Sequence, residues 1–133
     1  MGKNARRVYL THTMAASKIP EWLLILGISY VFLFFGIDKF LHPILWIGWI
    51  PLWMESFLSF SRAEWLSFFG GIEILLAVLL LVPKRRIRLI ASTFIALHMI
   101  GVLSQAGLFN EVGVRDTGIL CAVLALAWKQ IKA

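Results

Sequence analysis

Four apolar runs divide the chain. The first, Trp22 to Leu41, carries no Asp, Glu, Lys or Arg until Asp38 and Lys39 near its end. The second, Trp65 to Val82, stops at Pro83 and holds one acid, Glu73. The third, from about Ile87 to Phe109, holds His98 and Gln105. The fourth, from about Thr117 to Trp128, is the shortest and extends through Ile131 if Lys129 and Lys132 snorkel. Asp116 or Thr117 is placed to cap its start. A bilayer is crossed by about 20 mostly apolar residues in a helix. The pattern therefore predicts an all-α fold, a four-transmembrane-helix bundle with spans at about 22–41, 65–82, 87–109 and 117–131.

The connection between the first two runs breaks this pattern. Residues 43–64 read PILWIGWIPLWMESFLSFSRAE, too apolar for a solvated loop and too interrupted to cross. Pro51 divides them and is suited to start a short helix. From there Leu52, Trp53, Phe57, Leu58 and Phe60 are expected against lipid or the bundle. An interfacial or re-entrant segment follows, either a membrane-surface anchor or a lid over an outer cavity. Small residues recur at packing spacing: Gly27, Ser29 and Gly36, then Gly70 and Gly71, Ser92 and Ala96, Gly118 and Ala122. Such residues let membrane helices approach closely.

Composition fixes the class. Of 133 residues, 60% are hydrophobic and 15% charged, with a mean hydropathy of +0.86. Soluble domains run near 45–50% apolar and 25% charged. A soluble enzyme, a disordered tail and a nucleic-acid module are thereby excluded together, and residues 1–133 read as one membrane domain. The net charge of +6 matters through its placement. Ten of the 13 Lys and Arg lie on the side of the N-terminus and of the PKRRIR loop; Arg62, Arg115 and Lys39 lie on the other. This asymmetry predicts that both termini are cytoplasmic. The basic segment 1–20 (Lys3, Arg6, Arg7, Lys18) then precedes a retained signal anchor, since the following apolar run is longer than a cleavable one. Trp22 and Trp128 fall at the inner boundary, and Trp46, Trp49, Trp53 and Trp65 at or beyond the outer one, as an aromatic belt requires.

Ionisable groups inside a span are costly and mark functional sites by default. A helix rises about 1.5 Å per residue. Glu73 then lies roughly 12 Å below the outer rim and His98 roughly 15 Å below it, so the two are expected to face each other. Glu73 must be neutral or paired at that depth. Asp38 and Lys39 lie about one turn below the outer end of the first span and are expected to pair with Arg115 and Asp116 at the rim. With Gln105 these residues form one candidate polar cluster in the outer half: Asp38, Lys39, Glu73, His98, Gln105, Arg115 and Asp116.

Other chemistries find no support. His12, His42 and His98 lie at different depths, so no pair spans one haem iron. Cys121 alone forms neither an intrachain disulfide nor a CxxC dithiol, and a zinc site needs more ligands at closer spacing. No catalytic residue, metal site or intrinsic cofactor is expected.

The runs FLFFGIDKFLHP and FFGGIEILLAVLLLV, the loop PKRRIR and two further spans resemble DoxX-like membrane proteins over roughly residues 20–130. The matching positions are Gly36, Lys39, Phe40, Gly70 and Glu73. The resemblance implies a four-helix membrane fold, and the family takes its name from a subunit linked to thiosulfate:quinone oxidoreduction. It implies a prokaryotic plasma-membrane protein in contact with lipid and other membrane subunits, with a quinone or bound lipid nearby. The expected function is that of a non-catalytic accessory subunit of a larger membrane redox complex. An independent quinone-linked component using Glu73 and His98 for protons, or a small transporter, are the alternatives.

Overall fold

The structure is a computed structural model and describes residues 2–132. Its elements are α1 (Lys3–Leu41), α2 (Pro43–Trp46), two short 3₁₀ helices (Ile47–Trp49 and Leu52–Ser56), α3 (Arg62–Leu81), α4 (Arg85–Ala106) and α5 (Glu111–Lys132). No strand occurs among the described residues. Lys3, Arg6 and Arg7 belong to the backbone of α1, with their side chains outside the described set; the segment ahead of the first span is thus helical and runs through Pro20 into it.

The four long helices close a ring in which α1 touches α3 and α5, and α4 touches the same two. Three of them, over Lys18–Leu41, Arg62–Leu81 and Arg85–Ala106, are long and apolar enough to cross a membrane. The ring encloses a core of Ile25, Ile28, Phe32, Leu80, Ile95 and Leu126 with small Ala77 and Ala91 between them. Most of the large apolar side chains that point outward, such as Leu23, Tyr30, Phe94 and Leu97, are exposed on the isolated chain. That is the distribution expected of a bundle whose solvent is lipid.

Helix ends depart from the expected boundaries where polar residues do the capping. Helix α3 begins at Arg62, earlier than the apolar run, because Ser61 and Glu64 form a reciprocal capping box. Helix α4 stops at Ala106 and not at 109, because Gly107 takes a φ of 78° that favours glycine. Helix α5 starts at Glu111 and not at 117: the Asn110 side chain accepts from the Gly113 amide at 2.9 Å. Neither Asp116 nor Thr117 is a cap. Asp116 is buried, and the Thr117 hydroxyl donates to the Gly113 carbonyl inside the helix. Hydrophobic periodicity alone misses these opening turns, where Glu111, Arg115 and Asp116 interrupt the apolar run.

The glycines expected to serve helix packing divide into two groups. A Cβ on Gly36 would lie 2.8 Å from Ile74 and 2.9 Å from the Gly70 carbonyl, and one on Gly70 would lie 3.0 Å from the Gly36 carbonyl. These two glycines are the crossing point of α1 and α3. Gly27, Gly71 and Gly118 meet nothing within 4 Å, so the expectation that they serve helix packing is not met. Ser29 and Ser92 are buried, and the Ser29 hydroxyl donates across to the Ala77 carbonyl at 3.2 Å.

At the inner end, Glu21 gathers three helices. It accepts from Gln130 Nε2 at 2.8 Å, lies 3.3 Å from Lys129 Nζ and 3.6 Å from Arg88 Nη1. The Arg88 guanidinium lies 4.6 Å from the centroid of the Trp22 ring, and Arg85 donates to the carbonyls of Gln130 and Ile131. The start of α4 and the end of α5 are thus tied together and to α1. Removal of the one acid in this basic end, in Glu21→Ala, is expected to cost about 2 kcal/mol, read as a lower midpoint in reversible detergent–SDS unfolding. An unchanged midpoint would show that the clamp is only electrostatic decoration.

Candidate functional site

Residues 43–56 fold over the end of the bundle at which α1 stops and α3 starts. Pro51 precedes the second 3₁₀ helix, as its fixed backbone suits. Ile50 packs with Trp65 and Leu66, and the Trp65 indole donates to the Met54 carbonyl at 2.8 Å. Trp65 is 6% exposed, so it anchors this segment from within the fold. Leu52, Trp53, Phe57 and Leu58 remain exposed.

Beneath the segment lies a cavity of about 570 Å³. Its walls are chiefly apolar and aromatic: Phe32 and Phe35 from α1, Phe69 from α3, and Trp46, Trp49 and Trp53 from the outer segment. Lys39, Glu73, His98, Gln105, Arg115 and Asp116 also line it. Apolar walls with a few convergent polar groups, at 300–1,000 Å³, are the ordinary make-up of a small-molecule site.

The centre of the polar wall is a three-residue chain. Lys39 Nζ lies 2.6 Å from Glu73 Oε2, and His98 Nε2 lies 2.9 Å from Glu73 Oε1. Their side chains are 11%, 7% and 13% exposed. Each Glu73 oxygen has its own partner, so the deep carboxylate is satisfied twice. Lys39 also reaches the Phe35 carbonyl at 3.5 Å and lies 4.4 Å from the centroid of the Trp46 ring.

Local sequence explains why these groups meet. Lys39 follows Gly36 by three residues and Glu73 follows Gly70 by three. Three residues along a helix return to nearly the same face. The glycine pair lets the antiparallel α1 and α3 approach, which sets Lys39 beside Gly70 and Glu73 beside Gly36, and the long lysine side chain reaches back to the carboxylate. A Cβ on Gly36 would lie 3.2 Å from the Cβ of Glu73, and one on Gly70 would lie 3.3 Å from the Cβ of Lys39. His98 arrives from α4 at the expected depth.

The seven candidate residues therefore separate into three groups. Lys39, Glu73 and His98 are joined directly. Arg115 and Asp116 pair with each other at 2.7 Å, with the Arg115 guanidinium 4.6 Å from the Phe35 ring centroid; they and Gln105 line the same cavity. Asp38 lies outside it. Its two oxygens are taken by His42 Nδ1 at 2.7 Å and the Trp46 indole at 2.8 Å. The expected rim pairing of Asp38 and Lys39 with Arg115 and Asp116 is thus replaced: the two neighbours lie on different faces of α1, and each binds the partner its own face meets. Sequence reasoning missed Trp46 as a wall of the site and Glu21 as the inner anchor. The signal for Trp46 was its place one turn beyond Pro43 in an apolar segment, where an indole N–H needs a partner. Compared with protein-family models, with curated proteins and with solved structures, the chain matches none of them.

Proposed function

We propose that this chain is a four-span DoxX-like protein of a prokaryotic plasma membrane, with both termini cytoplasmic. In this reading it is an accessory subunit of a membrane redox complex, and its outer cavity holds a lipid-soluble quinone-type ring. The observation that carries the reading is the buried Lys39–Glu73–His98 chain set in an aromatic wall. A flat ring with polar oxygens fits such a wall through stacking and one or two hydrogen bonds. Phe32, Phe35, Phe69 and Trp46 would flank the ring, and His98 would meet an oxygen. A quinone-type ring supplies two-electron chemistry coupled to protons. Lys39, Glu73 and His98 handle protons and not electrons, which supports a role beside an electron-carrying partner. The inner core below the site is apolar, which supports binding over transport.

The fourth crossing is supported by the hairpin of α4 and α5. Only residues 107–110 join them, and Arg85 at the start of α4 binds carbonyls at the end of α5. If α4 crosses, α5 returns beside it, with its charges near its two ends.

Titration of the purified protein with a decyl-substituted benzoquinone tests the reading. Trp46, Trp49 and Trp53 should be quenched saturably, and the Lys39→Met/Glu73→Gln/His98→Ala variant, which leaves no buried charge unpaired, should lose that quenching while staying folded. Absence of saturable binding by the wild type overturns the ligand. Migration as a monomer or small homo-oligomer in blue-native gels overturns the accessory role.

A further inference from the structure

We infer that His98 Nδ1 is the atom that reads the ligand, accepting from a ring hydroxyl when the imidazole is neutral and donating to a ring carbonyl when it is protonated. The inference rests on the ring-binding reading above and adds which form of the ring the cavity prefers.

The argument starts from Glu73. An ionised carboxylate only accepts hydrogen bonds. One oxygen is held by Lys39 at 2.6 Å, and the other faces His98 Nε2 at 2.9 Å. The proton between Glu73 and His98 therefore belongs to Nε2. Nδ1 has no hydrogen-bond partner among the described residues, and His98 lines the cavity. In the neutral ring Nδ1 carries a lone pair; in the imidazolium it carries a proton. Both states keep the bond from Nε2–H to Glu73. The ring also stays held between Phe32 and Phe69, with centroids 6.0 and 5.8 Å away. Protonation thus reverses the polarity of one fixed atom without moving it.

The charged groups around His98 leave this atom in control. Lys39 from α1 and Glu73 from α3 offset each other, and Arg115 and Asp116 from α5 pair together across the same cavity. Gln105, on His98's own helix, offers both a donor and an acceptor and discriminates neither form.

The test uses two probes that do not interconvert, a decyl-1,4-benzoquinone and a decyl-substituted 4-methoxyphenol. Their affinities are measured by tryptophan quenching over the range in which imidazoles change charge, about pH 5 to 8. A phenol keeps its proton across that range, since phenols lose it near pH 10. The phenol-to-quinone affinity ratio of the wild type should rise roughly tenfold or more with pH, the size of one hydrogen bond gained or lost to a charged group. In His98→Gln both probes should still bind, with a ratio that no longer moves. A flat ratio in the wild type overturns this inference and leaves ring binding standing. An equal rise in His98→Gln assigns the effect to another group and overturns it too. Failure of both probes to bind the wild type removes the ring-binding reading itself.

Discussion

Lys39→Met is expected to lower the stability of the bundle by about 3–5 kcal/mol, the usual cost of leaving one member of a buried ion pair without its partner. Glu73 would keep its contact with His98 but lose the cation that lies 2.6 Å from it, at a site only 7% exposed. Glu73→Gln in the same chain should restore most of the loss. The amide needs no counter-charge, it still bonds His98, and the methionine stem fills the space of the lysine stem. Glu73→Gln alone leaves Lys39 with the Phe35 carbonyl and the Trp46 ring, and should fall between the two. Reversible unfolding in mixed micelles gives the three differences. A double variant as unstable as Lys39→Met would mean that the pair is not what holds this end together.

The second large effect is steric. Gly36→Val is expected to cost about 3 kcal/mol, at the upper end of overpacking penalties, because its Cβ alone meets Ile74 and the Gly70 carbonyl at 2.8 and 2.9 Å. Backbone does not yield as the tip of a side chain does. The helices must move apart, which carries Lys39 away from Glu73. Gly36→Val should therefore lose ring binding together with stability. Gly27→Val, on the same helix but with nothing within 4 Å, is the control and should stay near neutral in both measurements. Equal effects at the two positions would remove the crossing point from the account.

How far the site could be read in advance depends on which coordinate is asked for. Depth along a helix follows from counting residues, and this is why Glu73 and His98 were expected to meet and do. Lateral order does not follow from counting. Nothing in the spacing says that α3, and not α5, lies against the Lys39 face of α1, so Lys39 was assigned to the wrong partners. The three strongly apolar helices stand out because 18 or more residues without a solvated face leave few alternatives. Helix α5 was shortened because Glu111, Arg115 and Asp116 interrupt the apolar pattern of its first six residues, and only the Asn110 cap reveals its start. Glu21 was hidden by its setting: in a basic flank one acid reads as noise, whereas in the fold it is what three helices share.

The three connections between the long helices differ in length. Residues 82–84 and 107–110 join α3 to α4 and α4 to α5 directly, whereas residues 42–61 lie between α1 and α3. Closing a longer loop costs more entropy, though the cost grows slowly with length. The long connection offsets this with a small core of its own, built on Ile50, Trp65 and Leu66. The cavity takes its walls from α1, α3, α4 and α5 and from the segment folded over them, so it is complete only when the short-loop and the long-loop parts of the chain are both in place.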